Sequence, residues 1–214
     1  MRLTKYTHAC VRLEADGHVL VIDPGEWSEA ASLDGADAVV ITHEHGDHVD
    51  PDKLTSAVEA NPNLAVFAPA DVAEQASGLG IAVTTIGVGE SFDAAGFRIS
   101  AQGGEHAKIM KGRPTCANLA YLVETAGGTV YYPGDSLHRP ETAVDTLLVP
   151  TCAPWLKLVE AVEFVQDVAP RRAISTHDAM LTDKGELVVD SWFVEYGGTE
   201  YLRMAPGESL DLNG

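Results

Sequence analysis

The chain is poor in cysteine. Its 214 residues include only Cys10, Cys116 and Cys152, each far from the others. An odd, scattered set argues against a disulfide scaffold, and none has the close Cys or His neighbours of a structural zinc site. They read as free thiols of a reducing compartment, buried as small hydrophobes even where Cys116 and Cys152 fall near functional loops. Basic residues are scarce too. There are 14 Lys and Arg against 32 Asp and Glu, a net charge of −18. Phosphate backbones need a basic footprint, so this balance argues against a nucleic-acid partner. No apolar stretch approaches the ~20 residues of a membrane span. Residues 1–8 lack the apolar core of a secretion signal, and a cytoplasmic location is expected. Linkers and low-complexity tracts are missing as well, so a single domain over 1–214 is expected.

What is present is ordinary globular material: 45% hydrophobic and 21% charged residues, enough for a substantial core. Two halves, roughly 1–95 and 96–214, share a plan. In the first, apolar runs at 10–14 and 18–23 flank Asp16-Gly17, a hairpin turn pair, and Asp23-Pro24-Gly25 ends the hairpin. In the second, runs at 119–125 and 129–132 flank Gly127-Gly128, and Pro133-Gly134-Asp135 ends it. A buried strand follows each hairpin, at 38–41 and 146–149. Further strands are expected at 65–68, 81–85, 91–93 and 97–101, and helices at 51–60, 70–77, 156–168 and 184–195. Asp50-Pro51 supplies an N-cap and first-turn pair for the first helix. Leu158, Ala161, Val162, Val165 and Val168 give the third an apolar stripe.

The densest chemistry is the run Thr42-His43-Glu44-His45-Gly46-Asp47-His48 at the end of the 38–41 strand. It holds three of the eight histidines. Neutral imidazole and carboxylate are ligands for zinc, manganese and iron, and a cluster this dense suggests more than one metal. Alternation puts His43 and His45 on one side, able to share a metal, and turns Glu44 away. Gly46 permits a sharp turn that brings Asp47 and His48 toward a second metal.

His-x-His-x-Asp-His after an apolar strand resembles the signature of the metallo-β-lactamase fold superfamily of binuclear metal hydrolases. The later elements of that pattern occur in order: His106 in Gly103-Gly104-Glu105-His106, Asp135 in Gly134-Asp135-Ser136, and His177 in Ser175-Thr176-His177. The resemblance spans nearly the whole chain and is nearest to the small ascorbate-phosphate-lactonase-like branch. It implies an α/β (α+β) fold, a four-layer αββα sandwich of two mixed sheets flanked by helices. It implies that His43, His45 and His106 bind one divalent metal, that Asp47, His48 and His177 bind a second, and that Asp135 bridges them. Zinc is the default, with manganese or iron also suited to nitrogen and oxygen ligands. Two metals ~3.5–4 Å apart can share a hydroxide and stabilise charge building on a substrate. The implied activity is hydrolysis of a small ester, lactone or phosphodiester. The rivals are an iron-dependent redox enzyme on the same fold and a non-catalytic metal-binding protein. The nuclease branches usually add an RNA-binding arm or domain, for which this chain has no room.

Other residues are candidates around that centre. Asp47 doubles as an orienting group for the nucleophile. His8 precedes the first hairpin, where the resembling branch places a histidine near the metals, and is expected to line the pocket unless it is a hydrogen-bonded structural residue. His138, just after Asp135, is a candidate proton donor to a leaving group. His18 is expected to face solvent. Lys108, Lys111 and Arg113 gather beside His106 in an otherwise acidic chain. They read equally as a binding loop for an anionic small molecule and as an exposed hairpin tip. Trp155 is either an apolar wall or a helix anchor.

Overall fold

A computed structural model describes residues 1–212. Its architecture follows from period-2 patterning. The first sheet contains β1 (Arg2–Lys5), β2 (Val11–Ala15), β3 (His18–Ile22), β4 (Ala38–Val40), β5 (Ala65–Ala68) and β6 (Thr84–Thr85). The second contains β7 (Ser91–Ala94), β8 (Phe97–Gly103), β9 (Leu119–Thr125), β10 (Gly128–Tyr132), β11 (Thr146–Pro150), β12 (Arg172–Thr176) and β13 (Glu200–Leu202). The last strand, β14 (Ser209–Asp211), returns to the first sheet beside β1. The orders are β14-β1-β2-β3-β4-β5-β6 and β13-β12-β11-β10-β9-β8-β7. In both sheets the hairpin side is antiparallel and the other side parallel, with the change at β3 and at β10.

Along each strand, alternate side chains enter different cores. Leu20, Ile22 and Val40 meet Ile99, Tyr121, Tyr132 and Leu148 between the sheets. Val21, Val39 and Val66 face outward onto Leu54 of α1 (Pro51–Ala60) and Val72 of α2 (Ala70–Ser77). On the far side, Ala120, Leu147 and Val149 pack on Val162 and Val165 of α3 (Leu158–Val168) and Phe193 of α4 (Asp183–Tyr196). The result is the expected αββα sandwich. Asp50 caps α1, accepting from the N–H groups of Asp52 and Lys53, and Pro51 occupies the first turn. Ala169, left-handed at φ 48°, ends α3 just before Pro170.

Three details depart from expectation. Strand β6 is only Thr84–Thr85, because Ile81 packs against α2 instead of pairing. Helix α3 starts at Leu158, two positions late, because Leu156 is held in a turn by its N–H bond to the Ala153 carbonyl. The halves also exchange strands. β7 falls before residue 96 yet pairs in the second sheet, and β14 closes the first.

Candidate metal centre

The candidate residues converge on loops that follow strand ends. The His-rich loop is pinned from below by Asp23, which is fully buried after β3. One Asp23 oxygen accepts the Thr42 N–H at 2.8 Å. The other accepts the Thr42 hydroxyl at 2.7 Å and His48 Nδ1 at 2.6 Å. Gly25 completes the seat, because a Cβ there would stand 2.0 Å from the Asp47 carbonyl oxygen. Gly46 is not left-handed. Its Cβ would meet only the exposed end of the Glu26 side chain, so the tight position in this turn is Gly25.

The imidazoles are oriented one by one. His43 Nδ1 donates to the Thr42 hydroxyl at 2.9 Å, His106 Nδ1 to the Ala107 carbonyl at 2.6 Å, and His177 Nδ1 to the Cys152 carbonyl at 2.5 Å. With His48 Nδ1 held by Asp23, all four rings turn Nε2 inward, and an engaged Nδ1 is how proteins orient a ligating imidazole. His45 approaches through its other nitrogen, with Nδ1 3.1 Å from His43 Nε2. Glu44 points away and accepts from Gln75 of α2 at 2.7 Å.

Asp135 stands between two groups of rings. Its Oδ1 lies 3.1 Å from His48 Nε2 and 3.2 Å from His177 Nε2. Its Oδ2 lies 3.2 Å from His106 Nε2 and accepts the Trp155 indole N–H at 3.0 Å. Asn118 sets this carboxylate: Asn118 Oδ1 accepts the Asp135 N–H at 2.9 Å while its amide donates to Pro133 O. Gly134 is obligatory here, at φ 59° and with room for no Cβ 2.4 Å from Asn118 Oδ1.

His48 Nε2, His106 Nε2, His177 Nε2 and Asp135 Oδ1 are buried without a well-aligned hydrogen-bond partner among the described residues. Buried polar atoms are rarely left so, and four facing one another fit a cation that would satisfy them. Three sets of ligand atoms lie within 4.8 Å of one another: His43/His45/His106/Asp135, His48/Asp135/His177 and His8/Asp47/His177. His8 differs from the others. Its Nδ1 accepts the Ala179 N–H at 3.2 Å, so its proton sits on Nε2, aimed at Asp47 Oδ2 at 3.3 Å. It holds Asp47 rather than offering a lone pair.

Electrostatics divide the centre. Burial and the neighbouring rings push His43 and His45 below the ordinary imidazole range. Burial opposes charge on His48 too, but Asp135 and Asp23 outweigh it and raise that ring well above the range. His177 is likewise raised against burial, by Asp135 and Asp47, to about 9. Burial works against the carboxylates of Asp47 and Asp135 as well, yet the histidines hold both below the usual range. Burial lowers His8, against its Asp47 bond, so it is neutral. His8 (φ 66°) and His177 (φ 53°) are both left-handed, a conformation costing ~1–3 kcal/mol that surrounding structure must enforce. The His177 N–H bonds to the His8 carbonyl at 3.0 Å, and the rings pack 3.9 Å apart.

This geometry has relatives. The Beta-lactamase superfamily domain family matches residues 2–177. The chain belongs to that family. Protein Rv0786c of Mycobacterium tuberculosis is 34% identical over 98% of each chain. The UPF0173 metal-dependent hydrolase MK1542 of Methanopyrus kandleri is 29% identical over 83% of this chain and 84% of its own. Among solved structures, Igni18, a metallo hydrolase of Ignicoccus hospitalis, superposes with a TM-score of 0.74 at 20% identity, covering 98% of this chain and 97% of its own. The metallo-beta-lactamase fold protein YhfI of Bacillus subtilis superposes with a TM-score of 0.75 at 17% identity, covering 95% of this chain and 91% of its own, and with the family match this fixes the metallo-β-lactamase fold.

Within this superfamily member several expectations change. His8 does not line the chamber that opens on His45, His106, Asp135 and His177. It is buried behind Asp47 and borders a cavity on the other side with Lys5 and Asp178. His138 is exposed, with its ring over Gly103 and its carbonyl taking the Tyr131 hydroxyl at 3.0 Å, and none of its recorded contacts is with the imidazoles. Lys108 and Lys111 are exposed and line no cavity at the centre, whereas Arg113 does. Trp155 is a hydrogen-bond donor to Asp135 as well as a wall. Cys116 and Cys152 are half-buried rather than buried, and Cys116 Sγ lies 3.9 Å from His45 Nε2. His18 is exposed, as expected. The sequence reading missed Asp23, Thr42 and Asn118 as orienting groups. Asp23 had a signal, since it ends the first hairpin as Asp135 ends the second.

Proposed function

We propose that this metallo-β-lactamase-fold protein is a binuclear metal-dependent hydrolase of a small ester, lactone or phosphodiester. The observation that carries the reading is the division of Asp135, whose two oxygens face different sets of imidazole nitrogens. His43, His45 and His106 would hold one divalent cation, and His48, His177 and Asp47 the other, with Asp135 between them. When bound, such cations acidify water into a nucleophile at neutral pH and offset charge on the substrate. The chain's own residues do the rest. Asp23, Thr42 and the Ala107 and Cys152 carbonyls fix the ring tautomers. His8 Nε2–H holds Asp47, whose carboxylate stays ionised beside the reacting centre. Trp155 N–H fixes Asp135.

A chamber of about 360 Å³ opens on these groups and suits a small molecule. No helix among the described residues is long and apolar enough to cross a membrane. The free thiols fit a reducing cytoplasm, where we place the activity. Elemental mass spectrometry on tag-free protein tests the reading. About two zinc or manganese ions per chain, with turnover in an ester, lactone and phosphodiester screen, is the expected result. Dominant iron moves redox chemistry to the front. No metal after reconstitution overturns the binuclear assignment, and full loading without turnover favours a binding protein.

A further inference from the structure

Of the eight arginines in the sequence, seven meet a carboxylate, hydroxyl or carbonyl oxygen: Arg2, Arg12, Arg98, Arg139, Arg171, Arg172 and Arg203. Arg113 has no side-chain partner among the described residues. Its backbone N–H bonds to the Met110 carbonyl, and this exposed residue borders the ligand-facing chamber. In a chain of net charge −18, an unclaimed guanidinium is conspicuous. Glu44, nearby, is already engaged by Gln75.

The chamber around it sets an apolar wall against a polar floor of His45, Asp47, His106, Asp135 and His177. Trp27, Ile109, Pro154, Trp155 and Met180 form its walls above the imidazoles, and Arg113 is the one Lys or Arg among its lining residues. A side chamber of about 290 Å³, lined also by Glu44 and Asp71, shares Ile109, Arg113, His45 and His106 with the first, so Arg113 stands where the two meet. An arginine fork with five donors and no internal partner matches a planar oxyanion. The apolar walls match a hydrocarbon body between that oxyanion and the scissile group.

We propose that Arg113 forms a specificity subsite, and that the substrate is an ester or lactone bearing a second, carboxylate-like oxyanion on a short apolar body. The proposal rests on the hydrolase reading above for the scissile group, but not for the oxyanion subsite itself. Lys108 and Lys111 take no part.

Two measurements on the metal-loaded protein test it. The first compares mono-4-nitrophenyl glutarate with 4-nitrophenyl valerate, which have equal acyl length and differ in the distal carboxylate. The anionic ester should be preferred about tenfold to a hundredfold in kcat/KM, the range of one charge-assisted pair. Arg113→Gln should collapse that preference through KM, and Arg113→Lys should restore part of it. The second follows tryptophan fluorescence on titration with glutarate and with valerate. Both can reach a cation through one carboxylate, but only glutarate has a second for Arg113. Glutarate should bind at least about tenfold tighter, and Arg113→Gln should erase the difference. Equal handling of the two esters and of the two acids overturns the subsite. So does a preference that survives Arg113→Gln while kcat falls for both esters, which would place Arg113 at the reacting centre. Glutarate selectivity that depends on Arg113, without turnover of either ester, keeps the subsite and removes the ester branch of the hydrolase reading.

Discussion

The two sides of Asp135 hold similar ligands in opposite electrical surroundings. On one side, His43, His45 and His106 meet one another around the Asp135 Oδ2 edge, and the anchors of His43 and His106 are a hydroxyl and a carbonyl. On the other, His48 and His177 lie among three carboxylates: Asp23, Asp47 and Asp135. Burial and ring neighbours keep His43 and His45 neutral, as a ligating imidazole must be. The carboxylates instead hold His48 and His177 protonated in the metal-free chain. His43 and His45 are ready for a cation as they stand. The second side must give up protons first, and its stored negative charge then offsets the cation. Under the proposed binuclear reading, one sheet end would present two sites of different proton cost joined by one carboxylate.

Removing the joint is the most severe way to break this comparison. Asp135→Ala should lower bound metal from about two ions toward one or none and reduce turnover at least roughly a hundredfold. The αββα core should survive, because Asp135 sits on a loop beyond β10 and contributes nothing to the apolar clusters. Metal analysis with circular dichroism checks both halves of the expectation. Full loading and unchanged turnover would sink the bridging assignment.

Next in size is a test of one side alone. Asp23→Asn keeps the shape of the support but removes the charge behind His48. Supporting carboxylates of this kind are worth about ten- to a hundredfold in metal affinity. Competition titration against a chromophoric chelator should show one of two binding steps weakened by that factor and the other little changed. Equal weakening of both steps would mean that the sides are not separate.

Protons provide a third probe. At pH 7.5 His177, raised to about 9, carries a proton that ligation expels, and His48 behaves alike. His43 and His45, both lowered, have none to lose. Calorimetry in two buffers of different ionisation enthalpy should find one binding step releasing about one to two protons and the other almost none. The His177 share should vanish as pH rises through about 9, since the ring is then neutral before the metal arrives. Release shared evenly between the steps would erase the contrast.

Much of this cluster was legible because the candidate ligands lie in runs and after strands. The 42–48 run, His106, Asp135 and His177 all sit within a few residues of apolar segments whose alternation announces a sheet. The halves also echo one another: His8 lies three residues beyond β1 and His106 three beyond β8, while Asp23 follows β3 and Asp135 follows β10. What the sequence concealed is long-range support. Asp23 looks like a turn residue in Asp-Pro-Gly, and only folding brings it 2.6 Å from His48. Asn118 has no pattern at all until its side chain reaches Asp135. Short strands such as β1, β13 and β14 were also hidden, since three or four residues carry too little alternation to show.

A milder change sharpens the comparison at the joint itself. Trp155→Phe keeps the apolar wall but deletes the N–H that reaches Asp135 Oδ2 at 3.0 Å. One hydrogen bond to a charged group corresponds to about tenfold. The loss should appear in kcat with metal content unchanged, since the rings and their anchors remain. A drop in metal content instead would make Trp155 part of the ligand scaffold.

The smallest effect is expected at His138, and it bears on where protons come from. Its neighbourhood in sequence, three residues past Asp135, suggests a proton donor. Its position in space does not: the ring is exposed over Gly103, and it is the His138 main chain that takes the Tyr131 hydroxyl. A general acid must come within hydrogen-bond reach of the leaving group, directly or through one water. His138→Ala should therefore leave turnover within about twofold and its pH profile unmoved, because surface substitutions of this kind change little. Water in the chamber, oriented by the ionised Asp47 that His8 buttresses, would then supply the proton. A His138→Ala variant that loses activity most on substrates with poor leaving groups would reverse that assignment and require the loop after Asp135 to close over the bound substrate.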